Sequence, residues 1–383
     1  MNAETVMTMD PRKLGFAFMP MSALVALVLS LAPAFAGDTL AERANRGLVE
    51  IITGSISGTS VRTAEDLADV LDDGATRRVL PVIGKGSVQD LVDVRAVRGV
   101  DLAIVQTDVL DYAKAQKIYP GIENSFTYIA KLYNEELHIL ARADIRNIND
   151  LVGKRVNFGP QGDGTSITGP RVFDLLKLRV EATSFTQAMA LEKLRSGEIS
   201  AMVFVAGKPA PIFEMLRPRD NFHFLGVPLR PEIASSYIPA RLTNADYPNI
   251  VGQQSAVDTI AVGTALIVAN LYPDSERYKN AANFVDAFFT QFPRLQEAPH
   301  HPKWNEVNLA AELPNWKRFA PAADWIKRNG GTPIAMSEDM MRDVFAKFLD
   351  ERTKSGTSGA TLTAEQKDQL FDQFKRWQSG QAH

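Results

Sequence analysis

The sequence contains no cysteine, which excludes disulfide bonds, thiolate metal sites and thiol nucleophiles. It also has no basic run: 42 Lys and Arg stand against 45 Asp and Glu, giving a formal net charge of -3. Because binding to nucleic acid needs clustered positive charge, we expect no nucleic-acid partner. Only five histidines occur, and none of them has the i, i+4 spacing of a helical zinc site. We therefore expect neither a metal nor another cofactor.

Motifs of common enzymes are missing as well. The sequence has no Walker phosphate loop and no G-x-G-x-x-G fingerprint. The segment Gly54-Ser55-Ile56-Ser57-Gly58 does not fit G-x-S-x-G, because Ile56 occupies the position of the nucleophile. We predict a protein that binds rather than catalyses.

The N-terminus has the layout of a secretory signal peptide. Arg12 and Lys13 precede the apolar stretch 14–31, and Ala34-Phe35-Ala36 places small residues where a signal peptidase reads. A membrane anchor is the alternative, but it needs about 20 apolar residues. We predict that residues 1–36 are removed and that, in a diderm bacterium, the mature protein is periplasmic.

The first part of the mature chain alternates strand, polar loop and helix. Strands are predicted at 48–53, 78–83 and 101–105, and helices at 64–71 and 87–98. Such alternation predicts a parallel α/β sheet. In these sheets ligands bind beyond the carboxyl ends of the strands, where the polar loops 54–60, 84–87 and 106–108 gather.

A second, similar unit follows, with strands predicted at 137–141, 154–158 and 201–205. One helix is predicted to follow the glycine-rich turn and run through Leu178, and another spans 185–195. Two such units predict two lobes with a ligand cleft between them. A long strand at 259–268 is predicted to cross between the lobes, and a helix at 284–292 follows. We therefore divide the chain into a signal peptide (1–36), lobe 1 (37–141), lobe 2 (142–258), a return to lobe 1 (259–298) and a C-terminal extension (299–383).

The extension begins with a Pro-rich stretch that holds Trp304, Trp316 and Trp325. Apolar stripes at 341–348 and 370–377 then predict two amphipathic helices. Two interpretations fit this segment: it packs against a lobe, or it forms the surface of a homodimer or another partner complex.

The glycine-rich turn 159–165 is the best-marked ligand element. It connects a strand to a helix, and free N–H groups at a helix start favour an anion. Gly162 and Gly164 allow close backbone approach, and Thr165 and Ser166 offer hydroxyl groups. Asp163, however, adds a negative charge that would repel a carboxylate unless Asp163 points away or binds an amine. An ordinary strand-to-helix turn is the alternative.

Pro170 bears on where that helix begins. Proline is favoured in the first helical turn because it has no N–H to donate. A cap near Thr168 would place Pro170 there and leave residues 162–167 as free loop.

Other candidate ligand contacts lie in the loops after the strands: Ser55, Ser57, Thr59, Ser87, Gln106, Tyr133, Gly207 and Lys208. Ser87 fits a helix cap equally well, since Asp90 follows it at capping-box spacing. Gln106 suits recognition of an amide or carboxylate, or a structural hydrogen bond. Lys208 can supply a counter-charge for an anion, while Tyr133 fits either a cleft wall or a core position.

Four segments, 86–91, 101–108, 151–165 and 203–209, together resemble the TAXI-type solute-binding proteins of TRAP transporters. The resemblance covers roughly residues 48–295 and implies a two-lobed α/β type II periplasmic-binding-protein fold, here with a helical C-terminal extension. It implies a receptor that captures a small organic solute, a carboxylate or an amino acid, and delivers it to the membrane permease subunits of a TRAP transporter. Two loops depart from the family pattern. Ser60-Val61 replaces a usual tyrosine pair, and Asp163 replaces a usual serine.

A second hypothesis comes from another class of protein. The long extension and the altered loops also fit a periplasmic scaffold or sensor that keeps the binding-protein fold without a role in transport.

Overall fold

The computed structural model describes residues 39–118 and 121–329. The predicted signal peptide and the two predicted amphipathic helices lie outside the described residues. The chain divides into two compact units, Met1–Ala44 and Asn45–His383. In the first unit, residues 40–44 form most of helix α1 (Leu40–Asn45). A capping box starts this helix: the N–H of Glu42 donates to Thr39 Oγ1 at 3.2 Å, and the Thr39 N–H donates to Glu42 Oε2 at 2.7 Å.

The second unit alternates strands and helices over its described residues. The strands are β1 (Leu48–Thr53), β2 (Arg78–Ile83), β3 (Val100–Gln106), β4 (Phe126–Arg142), β5 (Arg155–Asn157), β6 (Glu181–Thr183), β7 (Ala201–Ala206), β8 (Phe222–Phe224), β9 (Ile238–Thr243) and β10 (Ala256–Ala269). The helices are α2 (Thr59–Leu71), α3 (Ser87–Ala96), α4 (Thr107–Ala115), α5 (Thr165–Leu175), α6 (Gln187–Arg195), α7 (Pro211–Glu214), α8 (Pro231–Ala234), α9 (Glu276–Leu295) and α10 (Ala320–Arg328). Short 3-10 helices cover Ile122–Asn124, Ile148–Leu151, Pro218–Asp220 and Pro302–Glu306.

The strands form one mixed sheet in the order β2-β1-β3-β10-β4-β7-β5-β6. Strand β1 pairs in parallel with β2 and β3, and β5 pairs in parallel with β6 and β7. These two parallel groups are the centres of the first and second lobes. The antiparallel strands β10 and β4 lie between them. The predicted two-lobed α/β fold is thus confirmed, while the residue boundaries of the lobes stay a prediction.

Two long strands connect the lobes. Strand β10 has 14 residues and pairs with β3 at one end and with β9 at the other. The predicted crossing strand at 259–268 is therefore confirmed and extended. Strand β4 has 17 residues, so the strand predicted at 137–141 is only its final part. The prediction missed residues 126–136 because charged and polar side chains, such as Lys131 and Glu135, interrupt the apolar pattern.

Both faces of the first-lobe sheet are covered. Ile51 of β1 belongs to a core cluster with Phe284 and Phe288 of helix α9, whereas Ile52 faces a second cluster that includes Leu91 of α3. Parallel strands are buried on both faces in this way because helices cover each side.

The described part of the C-terminal extension packs against the first lobe. Trp304 is fully buried, its ring centroid lies 6.0 Å from that of Phe288, and its Nε1–H donates to Asp66 Oδ2 at 2.9 Å. Farther along, the Trp325 ring makes an edge contact with Phe289 at 5.2 Å. Residues 299–329 thus pack against a lobe, as the first of the two interpretations predicted. The homodimer surface stays a prediction.

Candidate functional site

A small cavity of about 20 Å³ lies where the loops of the two lobes meet. A cavity of this size holds a group about as large as one water molecule. Its polar lining comes from the first lobe, the second lobe and both crossing strands: Ser55, Ser60, Ser87, Gln106, Glu135, Asp163 and Thr264. Apolar side chains of β3 and β7 complete the wall, among them Ile104, Val105, Phe204 and Val205.

Strand ends and helix starts place the first-lobe side chains at this cavity. Gln106 is the last residue of β3, and the loop that carries Ser55 follows β1 directly. Helix α2 begins at Thr59, five residues earlier than the sequence pattern predicted, so Thr59 lies in the first helical turn. Helix α3 begins at Ser87.

The prediction that Ser87 caps its helix is wrong. Gly86 is the cap residue, with φ 123°, and the structure shows no side-chain capping bond. A side chain at Gly86 would strain the backbone, and its Cβ would lie 2.6 Å from the Cα of Asp163 in the second lobe. Glycine is needed here because the two lobes approach so closely, and this leaves Ser87 to face the cavity.

The start of helix α5 also differs from prediction. The helix begins at Thr165, because the carbonyl of Asp163 accepts the Ser166 N–H at 2.9 Å and the carbonyl of Gly164 accepts the Thr168 N–H at 2.9 Å. Pro170 therefore lies within the helix and removes one of its backbone hydrogen bonds, instead of sitting in the first turn. Only residues up to 164 remain as the turn.

Hydrogen bonds at three places join the lobes around the cavity. Thr59 Oγ1 donates to the carbonyl of Gly207 at 2.8 Å, and both partners are buried. The Val88 N–H donates to the carbonyl of Gly162 at 3.1 Å. Asp108 Oδ2 accepts Thr168 Oγ1–H at 2.7 Å from across the cleft. The structure is therefore a closed arrangement of the two lobes.

The cavity is acidic. Glu135, on the crossing strand β4, and Asp163, in the glycine-rich turn, both contribute carboxyl groups to its lining, and the lining contains no Lys, Arg or His. Burial raises the pKa of Glu135 to about 8, with the nearby Asp163 charge adding to the shift and the hydrogen bond from Gln106 opposing it. Burial likewise raises the pKa of Asp163 to about 6. These carboxyl groups share a site with no counter-charge of its own.

Several buried hydrogen-bond acceptors at this site have no partner among the described residues. Gln106 Nε2 donates to Glu135 Oε2 at 2.6 Å, which fixes the orientation of the amide. Gln106 Oε1 and Asp163 Oδ2 have no hydrogen-bond partner among the described residues, and neither do the two carboxylate oxygens of the adjacent Asp90. Buried acceptors are costly to leave unpaired, so the site is suited to a ligand rich in donors.

Of the residues predicted to bind a ligand, Ser55, Ser87, Gln106 and Asp163 lie together in the cavity lining. Others in this set support the site without lining it. Thr165 Oγ1 accepts the Val205 N–H at 3.1 Å, and Ser166 Oγ accepts the Gly162 N–H at 3.1 Å. Gly164 packs against the Gln106 side chain, and Thr59 and Gly207 form the interlobe bond already described.

Three predicted residues lie elsewhere. Ser57 does not line the cavity. Tyr133 is fully buried in the first-lobe core, where its hydroxyl lies 3.1 Å from Thr63 Oγ1. Lys208 donates from Nζ to the carbonyl of Arg241 at 2.6 Å and to Asp246 Oδ2 at 3.1 Å, which commits its charge to the second lobe. The expectation that Lys208 serves as counter-charge for an anionic ligand therefore finds no geometric support.

Glu135 is the main residue that the sequence analysis missed. The available signal was the pair Glu135-Glu136 directly before the strand predicted at 137–141, since charged residues are rarely buried without a specific role. Glu136 is neutralised by a buried lysine of the C-terminal segment: Lys303 Nζ lies 2.6 Å from its Oε1. Glu135 has no such partner in the cavity lining.

Two further properties concern the part of the chain that the structure covers. No helix within residues 39–118 and 121–329 is both long and apolar enough to cross a bilayer. In the same residues, no group of three or more His, Asp or Glu side chains is arranged to hold a metal ion.

The two sheet halves, the crossing strands and the polar cavity define a two-lobed α/β binding-protein fold. The chain belongs to the NMT1-like family, whose model matches residues 51–316. Among solved structures it is similar to the periplasmic binding protein BugD, with 12% identity, a TM-score of 0.45, and coverage of 75% of this chain and 94% of that chain. It is also similar to a TctC solute binding protein from Polaromonas, with 17% identity, a TM-score of 0.37, and coverage of 64% and 88%. The narrower TAXI type stays a prediction.

Proposed function

We propose that this protein is an extracytoplasmic receptor. It binds a small organic solute in the interlobe cavity and delivers it to the permease of a TRAP-type transporter. The observation that carries the proposal is a polar cavity whose walls come from both lobes and from both crossing strands. A solute there contacts both lobes at once, so its binding free energy favours the closed form.

The contacts between the lobes support this coupling of binding to closure. The bonds from Thr59 to Gly207 and from Val88 to Gly162 flank the cavity and exist only when the lobes meet. A permease that recognises the closed form would distinguish loaded from empty receptor by this geometry. The predicted signal peptide at residues 1–36 accords with an extracytoplasmic receptor, since it would export the protein to the periplasm.

The size of the cavity bears on the solute. The cavity volume of about 20 Å³ fits one small polar group, and a whole amino acid is larger. The remainder of a solute would therefore lie toward the mouth of the cleft, and closure around it would be less complete than in this structure.

Thermal unfolding with a panel of amino acids, amines and carboxylic acids tests the receptor function. A cognate solute is expected to raise the melting temperature with increasing concentration, by the free energy that binding adds to the folded state. Absence of a shift across the whole panel would contradict the receptor function.

Crosslinking in the native host, followed by mass spectrometry, tests the transport role. We expect ligand-dependent crosslinks to the two membrane subunits of a TRAP-type permease. Ligand binding with crosslinks only to a signalling or structural protein of the envelope would favour the scaffold or sensor hypothesis instead.

A further inference from the structure

We propose that the solute of this receptor carries a protonated amine, and that this ammonium group occupies the cavity between Glu135, Asp163 and Gln106. The inference rests on the receptor function proposed above and names the chemical class of its ligand. It takes up the alternative that Asp163 binds an amine, in place of the anion that a helix start by itself favours.

The acceptors in the cavity come from three separate elements. Glu135 projects from β4, Gln106 ends β3, and Asp163 belongs to the turn before α5. Glu135 and Gln106 are each 5% exposed, and Asp163 is 9% exposed. The Gln106 amide is held with its nitrogen on Glu135, so its Oε1 is presented as an acceptor without a partner among the described residues.

An ammonium group matches these acceptors in number and in size. It has three N–H donors and no acceptor, and the cavity offers a glutamate carboxyl, the free Oδ2 of Asp163 and the free Oε1 of Gln106. An ammonium group is about as large as the single water molecule that a 20 Å³ cavity accommodates.

The charge of the site favours a cation over an anion. Buried carboxylates are stabilised by a paired charge, and the lining offers none. Two lysines that act on the neighbouring Glu136 are already paired, Lys208 with Asp246 and Lys303 with Glu136 itself. A ligand carboxylate placed here would face Glu135 and Asp163 without a compensating cation.

An organic cation fits better than a metal ion. Within the described residues no cluster of three or more His, Asp or Glu side chains is arranged for a metal. The apolar wall formed by Ile104, Phe204 and Val205 would face a carbon chain favourably, but it offers no ligand to a metal.

Isothermal titration calorimetry with matched compounds tests the inference. For each amino acid of the panel, the full-length protein is titrated with the amino acid, with the amine that lacks its carboxyl group, and with the acid that lacks its amino group. We expect binding of amino acids or amines and none of the deaminated acids. In Glu135→Gln and Asp163→Asn, which keep the side-chain shape, amine binding should weaken about tenfold or more, as expected for loss of a charged hydrogen-bond partner.

Glu192→Gln is the matched control, because it makes the same change on an exposed helix position, where the side chain of Glu192 is 72% exposed. Its affinity should equal that of the original protein. Far-ultraviolet circular dichroism checks that all variants fold, and the two cavity variants lie on different elements, so one remains informative if the other does not fold.

The outcomes separate the two proposals. Tight binding of a deaminated acid, unchanged or strengthened in Glu135→Gln, would overturn the ammonium assignment and leave the receptor function standing. Amine binding that both cavity variants leave unchanged would also overturn it, because the amine would then bind elsewhere. Failure of all three compound classes to bind would remove the receptor function, and the assignment with it.

Discussion

Replacing Gly164 by alanine tests whether the lobes close as the structure shows. In the closed arrangement Gly164 of the second lobe packs directly against the Gln106 side chain of the first lobe. Gly164 has φ -55° and ψ -39°, which alanine adopts without strain, so the backbone of the second lobe should not change. A Cβ at this position would, however, overlap Oε1 and Cδ of Gln106 in the first lobe and lie 2.9 Å from its Nε2. The substitution therefore acts on closure and leaves each lobe intact.

The size of the effect follows from what must move. Gln106 is 5% exposed and its amide is bonded to the Glu135 carboxyl at 2.6 Å. Moving the side chain away would sacrifice a bond to an ionisable group, about 1.5–3 kcal/mol. Keeping it in place would hold the lobes apart, and overpacking of this kind costs about 1–3 kcal/mol. Solute affinity should therefore fall by about 5-fold to 150-fold.

Calorimetry and small-angle X-ray scattering measure the two consequences. Gly164→Ala should bind the tightest amine of the panel more weakly and, at saturation, keep a larger radius of gyration than the original protein. Gly54→Ala is the matched control. Gly54 also lines the cavity. A Cβ added there would lie 3.7 Å from Ser60 Oγ, which is an ordinary van der Waals contact.

Unchanged affinity and an unchanged saturated radius in Gly164→Ala would refute this account of closure. The lobes would then meet in solution at another angle, with Gln106 clear of the glycine-rich turn. An equal loss in Gly54→Ala would contradict the steric explanation as well, because that position has room for a methyl group.

Three further predictions concern the surroundings of the cavity. Thr59→Val removes the interlobe bond to Gly207 and should weaken solute binding about 2-fold to 13-fold, from about 0.5–1.5 kcal/mol, measured by calorimetry. Lys303→Met leaves Glu136 buried without its cation and should lower the free energy of unfolding by about 3–5 kcal/mol, measured in urea. Burial raises the pKa of Glu135 from 4.5 to about 8, so between these values the folded protein binds more protons than the unfolded chain, and stability without solute should fall as pH rises. The slope should be smaller in Glu135→Gln, measured by urea unfolding at pH 6 and pH 8.

Each of these predictions has a clear contrary result. Thr59→Val with unchanged affinity would mean that the bond to Gly207 does not contribute to closure. Stability in Lys303→Met within about 0.5 kcal/mol of the original, the range of ordinary surface changes, would mean that water reaches Glu136. An equal pH slope in Glu135→Gln and in the original protein would assign that slope to other groups, such as Glu136, whose pKa burial also raises, to about 7.

Much of the fold was predictable from local pattern. The strand–loop–helix alternation gave three first-lobe strands at their observed places, because apolar runs ended by glycine and polar residues are a local property of the chain. The long strand β4 was only partly predicted. Its middle carries Lys131, Glu135 and Glu136, so no local apolar pattern predicts a strand there. The strand forms because its backbone pairs with β10 and β7.

The candidate site was predictable as a set of loops but not as a chemical environment. Ser55, Ser87, Gln106 and Asp163 were identified because parallel strands bring their carboxyl-end loops together. Lys208 was predicted to supply charge to a ligand, and only the second-lobe fold brings Asp246, 38 residues away, to its amine.

The sequence by itself thus determined the class of fold, the absence of thiol chemistry and the loops that meet at the cleft. Tertiary structure decided the sign of the charge at the site. Gln106 and Glu135 are 29 residues apart in the chain, and Asp163 belongs to the other lobe, so their shared acidic cavity exists only once the sheet is assembled and the lobes close. The physical reason is that charge, hydrogen-bond satisfaction and pKa depend on what surrounds a side chain in space, whereas a glycine-rich turn before a helix looks the same in the sequence whether it faces an anion or a cation.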